Sequence, residues 1–297
     1  MDIFNLRNNI LPSITGRGRG VGLLLLFCLL CGACDHIDED KRLIYVEPVI
    51  APVDTTDSVG IDTLFYQNVL IEDFTGQSCI NCPKATQAIS VLQEAYGHDR
   101  VVAVGIYSGS FGRSKKGVLY PLTTEVGDEY FAHWQLSSQP IGLVNRQSPS
   151  DYADWSTQVY NLLQQKARVG LVANAQYDSE SREIKILVEA HAKESPIAGK
   201  LQVWLTEDSI TDFQYMPDGT NNREYVHNHV FRAAINGTWG TDFNLAAERS
   251  KSESFSFLIP EDKNWKPQNM HAVSFVYSGN GVEQVAECGI LILEKQY

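Results

Sequence analysis

The chain predicts two folded regions of different class: an α/β domain with a mainly parallel, helix-covered sheet, then an all-β sandwich. Three observations carry this. Between residues 63 and 167, apolar runs alternate with amphipathic stretches, the pattern of βαβ units. From Val169 the texture changes to short alternating runs separated by turn residues, with no convincing helix. A pair of cysteines, Cys79-Ile80-Asn81-Cys82, falls where the first strand pattern gives way to the first helix pattern.

The N-terminal segment comes first. Arg7, Arg17 and Arg19 precede an apolar stretch from Val21 to Cys31 that is too short to span a bilayer. Cys31-Gly32-Ala33-Cys34 follows, with small residues just before a cysteine. This resembles a bacterial lipoprotein signal, which implies a leader over residues 1–33 and a lipid on Cys34. An acidic tract, Asp35 to Asp40, comes next and resembles the surface-export signal of some Gram-negative lipoproteins. Residues 34–62 hold Pro48, Pro52 and many acids without periodicity, and predict a tether. The expectation is a protein held at the outer membrane by lipid, on its cell-surface or periplasmic face.

Composition narrows the partners. The formal net charge is −12. The predicted leader would take away three arginines against only Asp2, leaving the remainder more acidic. Such a body disfavours nucleic acid and anionic lipid as partners. Of six cysteines, Cys28 and Cys31 leave with the leader and Cys34 carries lipid. Cys288 sits in a strand-like run and predicts a buried, inert thiol. Cys79 and Cys82 are left as natural partners.

In the 63–167 region, Val69 to Phe74 predicts a buried strand. Ala85, Ala88, Ile89, Leu92, Ala95 and Tyr96 follow at helical spacing, and Gly97 ends that helix. Val101 to Tyr107 predicts a second buried strand, 108–124 a long loop, 125–135 a helix, and Ile141 to Asn145 a third strand. Ser148-Pro149-Ser150-Asp151 predicts a helix start with Ser148 as cap. In the 168–297 region the expected strands are 169–177, 183–191, 199–206, 224–235, 252–259, 270–278 and 284–293. Their number suggests an immunoglobulin-like sandwich, without a cysteine pair across its sheets.

The chemistry centres on Cys79. A thiol near a helix N-terminus is favoured as thiolate, and a second one turn on is placed to resolve a mixed disulfide. An inert staple fits the same spacing in an exported protein. A reactive pair would expose Cys79, bury Cys82 and pack Pro140 against both. His227 and His229 are the only tempting metal ligands, two short of a zinc site; both are expected exposed or in a polar loop. No metal or cofactor is expected beyond the cysteine pair itself.

The segment Ile71-Glu72-Asp73-Phe74 through Cys82 resembles the active-site segment of the thioredoxin fold. That resemblance implies a thioredoxin-like domain with Cys79, Cys82, Asp73 and Pro140 as catalytic residues. Asp73 would relay a proton or serve as a structural carboxylate, and Pro140 would be cis. Gln139, Ile80 and Asn81 would meet an extended substrate, and Glu72, on the other strand face, would be solvated. Ser78 stands where that family has Trp, and Ile80-Asn81 where it has Gly-Pro. Further stretches, Gly142 to Arg146, Leu205 to Asp208, Tyr225 to Ala234 and Gly237 to Gly240, resemble the twenty-eight-kilodalton outer-membrane protein family of lipoproteins.

Two functions follow as expectations. One is an outer-membrane-anchored thiol–disulfide oxidoreductase acting on client proteins. The other is a surface binding or adhesion lipoprotein in which Cys79–Cys82 is structural. The sequence leaves the oligomeric state open.

Overall fold

A computed structural model describes residues 63–117 and 120–293. The leader, Cys34 and the whole 34–62 tether lie outside the described residues. No described helix is long and apolar enough to cross a membrane.

β1 (Val69–Thr75) is buried along its whole length. It pairs in parallel with β2 (Val101–Tyr107) and antiparallel with β3 (Ile141–Val144), which puts Phe74 beside Ile141 and Asp73 beside Gly142. Parallel neighbours need a crossover, and α1 (Cys82–Tyr96) supplies it, ending at Gly97 with φ 98°. α2 (Glu125–His133) is capped by the Thr124 hydroxyl, which accepts from the Gly127 amide at 2.9 Å. α3 (Tyr152–Leu163) starts later than expected. Its cap is Asp151, accepting from the Ala153 amide at 2.9 Å, and not Ser148. The reason is that Ser150 exchanges both backbone hydrogen bonds with Gly142, which keeps it beside β3 and out of the helix.

Alternation along β1 and β2 divides two cores. Val69, Ile71, Val101 and Ala103 pack against Ala85 and Ile89 of α1 and Trp155 and Val159 of α3. Leu70, Phe74, Val104 and Ile106 face Tyr130 of α2, and also Trp204, Phe231 and Phe275 from far along the chain. Glu72 lies on this second face. It is fully buried, which corrects the expectation that it is solvated. A strand covered on both faces leaves it no water, and Arg146 answers its charge at 3.3 Å.

The rest of the chain forms β4 (Val169–Asp178), β5 (Glu183–Ala192), β6 (Ile197–Glu207), β7 (Ile210–Tyr215), β8 (Asn221–His227), β9 (Val230–Ala234), β10 (Thr241–Leu245), β11 (Ser250–Leu258), β12 (Met270–Ser278) and β13 (Gly281–Leu293). The expected strand 224–235 is two, because His229 turns the chain at φ 56°. β7 and β10 escaped notice because each has only two or three apolar residues. The result is a large mixed sheet ordered β11-β5-β4-β13-β12-β6-β9-β2-β1-β3, with β10 on β6 and β7–β8 apart as a hairpin. Side chains of β4, β5 and β11 share one core with those of β6, β10 and β12, so two layers face each other there. β13 belongs to both layers: Gly281 to Gly289 pair with β12, and Ile290 to Leu293 run parallel to β4.

The ladder does not stop at residues 167/168. β9 joins β2 through Gly105 and Val230, and the Gly105 amide donates to the His229 carbonyl at 2.8 Å. The Val282 amide donates to the Asn145 carbonyl, while the Asn145 side chain accepts from the Leu70 amide at 2.7 Å. These bonds stitch β13 to β3 and β1.

Candidate functional site

Cys79 and Cys82 form a disulfide at the C-terminal end of β1, with Cα atoms 5.4 Å apart. α1 begins at Cys82 itself, so Cys79 precedes the helix instead of occupying its first turn. Both cysteines are buried, each exposing 2% of its surface, whereas a reactive pair would expose Cys79. Between them Ile80 is 48% exposed, and Asn81 is exposed as well.

The cover over the cysteines comes from distant segments. Gln214 of β7 is buried, and its amide donates to the carbonyls of Cys79 at 2.9 Å and Gly76 at 3.3 Å. The Tyr215 amide donates to the Gln77 carbonyl at 2.9 Å, and the Gln77 side chain donates to the Phe213 carbonyl at 3.2 Å. On the other side Ser78 donates twice to the Phe111 carbonyl, from its amide at 3.2 Å and its hydroxyl at 3.0 Å. Gly76 permits this approach, since a Cβ there would overlap the Phe111 backbone. The β7–β8 hairpin and the segment around Phe111 thus hold the disulfide segment between them.

Asp73 has the same strand parity as Val69 and Ile71, so it faces the α1 side, near the Cys82 end of that helix. It is 2% exposed, and its Oδ1 has no hydrogen-bond partner among the described residues. Burial pushes its carboxyl up to about 7. Tyr107, two residues past the Asp73 partner Gly105, lies on the same face. Its phenol is 2.6 Å from Nδ1 of buried His227. His227 is therefore neither exposed nor in a polar loop, and burial holds its imidazole down at about 4. Tyr225, also from β8, lies beside Thr86 of α1; burial raises its phenol, and the nearby Asp73 charge adds to that.

The Gln139–Pro140 peptide is cis. By register Pro140 falls opposite Thr75, where β1 gives way to the disulfide segment. The Gln139 side chain turns inward and donates to the carbonyls of Thr75 at 2.5 Å and Ser108 at 3.1 Å, tying the ends of β1 and β2 together. His227 and His229 part company: His229 lies 3.4 Å from Asp208 instead. Among the described residues, no group of three His, Cys, Asp or Glu is placed to hold a metal ion. Cys288 is partly buried, and its thiol is pushed up to about 12 by burial and by Glu287.

The structure therefore brings Asp73, Cys79, Cys82, Gln139 and Pro140 to one end of the sheet. Sequence reasoning missed Gln77, Tyr107, Phe111, Gln214 and Tyr225. Only the aromatic end of β2 carried a local signal. The others depend on which distant loop lands there.

No curated protein sequence matches the chain. HBP35 of Porphyromonas gingivalis is similar in structure at 15% identity and TM-score 0.61, covering 78% of this chain and 79% of that one. This is a likeness of fold alone. A domain of the outer membrane lipoprotein Omp28 from Porphyromonas gingivalis aligns at 24% identity and TM-score 0.32, over 43% of this chain and 92% of that one. The family described as outer membrane protein Omp28 matches residues 127–290, from α2 to β13, and so leaves out the disulfide. That match spans more than half of the 297 residues, and the chain belongs to the Omp28 family of outer-membrane proteins.

Proposed function

We propose that this outer-membrane protein is a lipoprotein anchored through Cys34, with a thioredoxin-like region that exchanges thiols and disulfides with client proteins. One arrangement carries the reading: the Cys79–Cys82 disulfide, the buried Asp73 and the cis Gln139–Pro140 peptide meet at one end of β1 and β3. The order supports it too. The pair follows a central strand, a parallel strand comes next, and the cis proline opens an antiparallel strand on the other side.

In the exchange, a client thiolate attacks Cys79 Sγ. The Cys79–Cys82 bond breaks, its electron pair passes to Cys82 Sγ, and that sulfur takes a proton from the Asp73 carboxyl. The client's second thiol gives its proton to solvent and displaces Cys79 as a thiolate. A client disulfide forms, and two electrons have passed from the client dithiol to the pair. The reverse sequence reduces a client disulfide. Ile80 and Asn81 are the exposed residues beside the pair that would touch the client.

The burial of both cysteines favours a second reading, in which the disulfide is a staple within a non-enzymatic surface binding lipoprotein. The reduction potential separates the two. A value below about −300 mV marks a structural disulfide and sinks the exchange reading. A more oxidising value, with Cys79 alkylated first after reduction, sinks the staple. The anchor is tested by Cys34→Ser, which should release the protein from the membrane fraction.

A further inference from the structure

Asp73 would be of little use as a proton donor if water reached it, and the first half of the chain alone does not keep water out. α1 covers the face of β1 and β2 with Ala85, Ile89 and Leu92, which pack on the earlier residues of those strands. Beyond them, at Asp73, Gly105 and Tyr107, the cover comes from the segment after β6. The backbone of Asn228 and His229 lies against Gly105, His227 is 2.6 Å from the Tyr107 phenol, and Tyr225 reaches across to Thr86, whose own hydroxyl bonds the Cys82 carbonyl at 3.4 Å. The rings of Tyr225 and His227 lie 4.8 Å apart, and those of Tyr107 and His227 5.4 Å apart, so the three pack as one group.

We propose that Tyr225 and His227, carried in by β8, are positioning residues for the exchange reaction: with Tyr107 they close the space around Asp73 with neutral groups, so that a carboxylic acid faces Cys82. The inference rests on the exchange reading given above.

Charge around the group is consistent with this role. Tyr107 and Tyr225 are held as phenols by burial, and His227 as neutral imidazole. A phenol donating to Nδ1 leaves the His227 proton on Nε2. The charged groups next out are Asp212 of β7 and Arg232 of β9. Arg232 is engaged by Glu207 at 2.8 Å; Asp212 works against ionisation of the Tyr107 phenol but towards protonation of His227, where burial is the larger effect and keeps the imidazole neutral. Asp73 thus feels burial with no cation among the described residues to offset it, and sits at about 7.

The test uses the purified full-length protein and two readouts. One is the titration of the Asp73 carboxyl by carbon NMR. The other is the pH dependence of reduction of the disulfide by dithiothreitol. In the wild type both should turn near 7, and Asp73→Asn should abolish both inflections. His227→Ser and Tyr225→Ser admit water, and each should lower the Asp73 midpoint by roughly one unit or more. Tyr225→Phe, which keeps the ring, should leave it in place. Should either serine variant fail to fold, Tyr107→Phe removes only the hydroxyl that holds His227 and should still lower the midpoint. A midpoint that stays at its wild-type value in the folded truncations overturns the inference. A midpoint that moves while dithiothreitol fails to reduce the pair in every form overturns the exchange reading, and the positioning role with it.

Discussion

The Gln214 side chain donates at 2.9 Å to the Cys79 carbonyl, a bond between residues 135 positions apart. It is the most direct tie between the β7–β8 hairpin and the disulfide. Among the described residues the hairpin has no ladder to the main sheet, so its contacts here are mainly isolated hydrogen bonds and a small apolar cluster of Ile210, Tyr107, Leu122 and Val230. Segments held this way open locally more readily than sheet cores.

Gln214→Ala should loosen that cover. Losing a buried hydrogen bond and leaving the Cys79 carbonyl unpaired should cost about 1.4 kcal/mol or more, or roughly tenfold in the open population. The rate of disulfide reduction by a water-soluble phosphine should rise by about that factor, while the reduction potential changes little. An unchanged rate would show that the hairpin does not control access.

Glu72 and Arg146 form a buried ion pair, and Arg146 also lies over the rings of Phe275 at 4.7 Å and Tyr277 at 4.2 Å. Arg146→Met leaves a carboxylate in an apolar core, and should destabilise the fold by about 3–5 kcal/mol. The double change Glu72→Leu with Arg146→Met should lose less than either single change. Urea denaturation of the three variants measures both effects.

The response to pH combines opposing signs. The Asp73 carboxyl is raised from 3.8 to about 7. Its contribution to stability is complete below about 4 and is lost as pH rises through 7, roughly 4 kcal/mol in all. Glu287, also raised to about 7 by burial, acts in the same sense. His227 acts in the opposite one: lowered from 6.5 to about 4, it gives stability above about 6.5 that is lost as pH falls through 4. Asp73→Asn should therefore gain on the wild type between pH 4 and pH 8. His227→Gln should gain on it as pH falls from 7 to 4. Denaturation midpoints across that range are the check.

Gly142 sits beside Asp73 in the β3 register, and a Cβ there would meet the Trp155 ring and the Glu72 carbonyl. Gly142→Ala should destabilise by about 1–3 kcal/mol, because the carbonyl belongs to a central strand and cannot yield. It should also displace Pro140 from the end of β1, visible as changed amide shifts at Thr75 and Ser78. Unchanged shifts would mean that Trp155 alone gives way.

What was legible in the sequence was what is local. Strand, cysteine pair, helix, strand and proline follow one another within residues 69–144, and their order alone directs them to one end of the sheet. Glu72 was misjudged although its neighbours held the answer: Val69-Leu70-Ile71 before it and Phe74 after it belong to a strand buried on both faces, where an acid must find a cation. His227 was misjudged for a different reason. Its place depends on the left-handed turn at His229, which separates two strands that read as one, and on β6 carrying that turn across to Gly105. No periodicity signals such a landing.

The face of β1 and β2 that receives Trp204, Phe231 and Phe275 has a consequence for biogenesis. A nascent or translocating chain presents Leu70, Phe74, Val104 and Ile106 long before those rings emerge, and β13, which closes both layers, comes last. Folding must wait for nearly the whole polypeptide, so a truncated product ending near residue 167 should aggregate instead of forming a stable piece. During that interval Gln214 and His227 have not yet arrived, and Cys79 and Cys82 stand open to whatever oxidant the compartment offers.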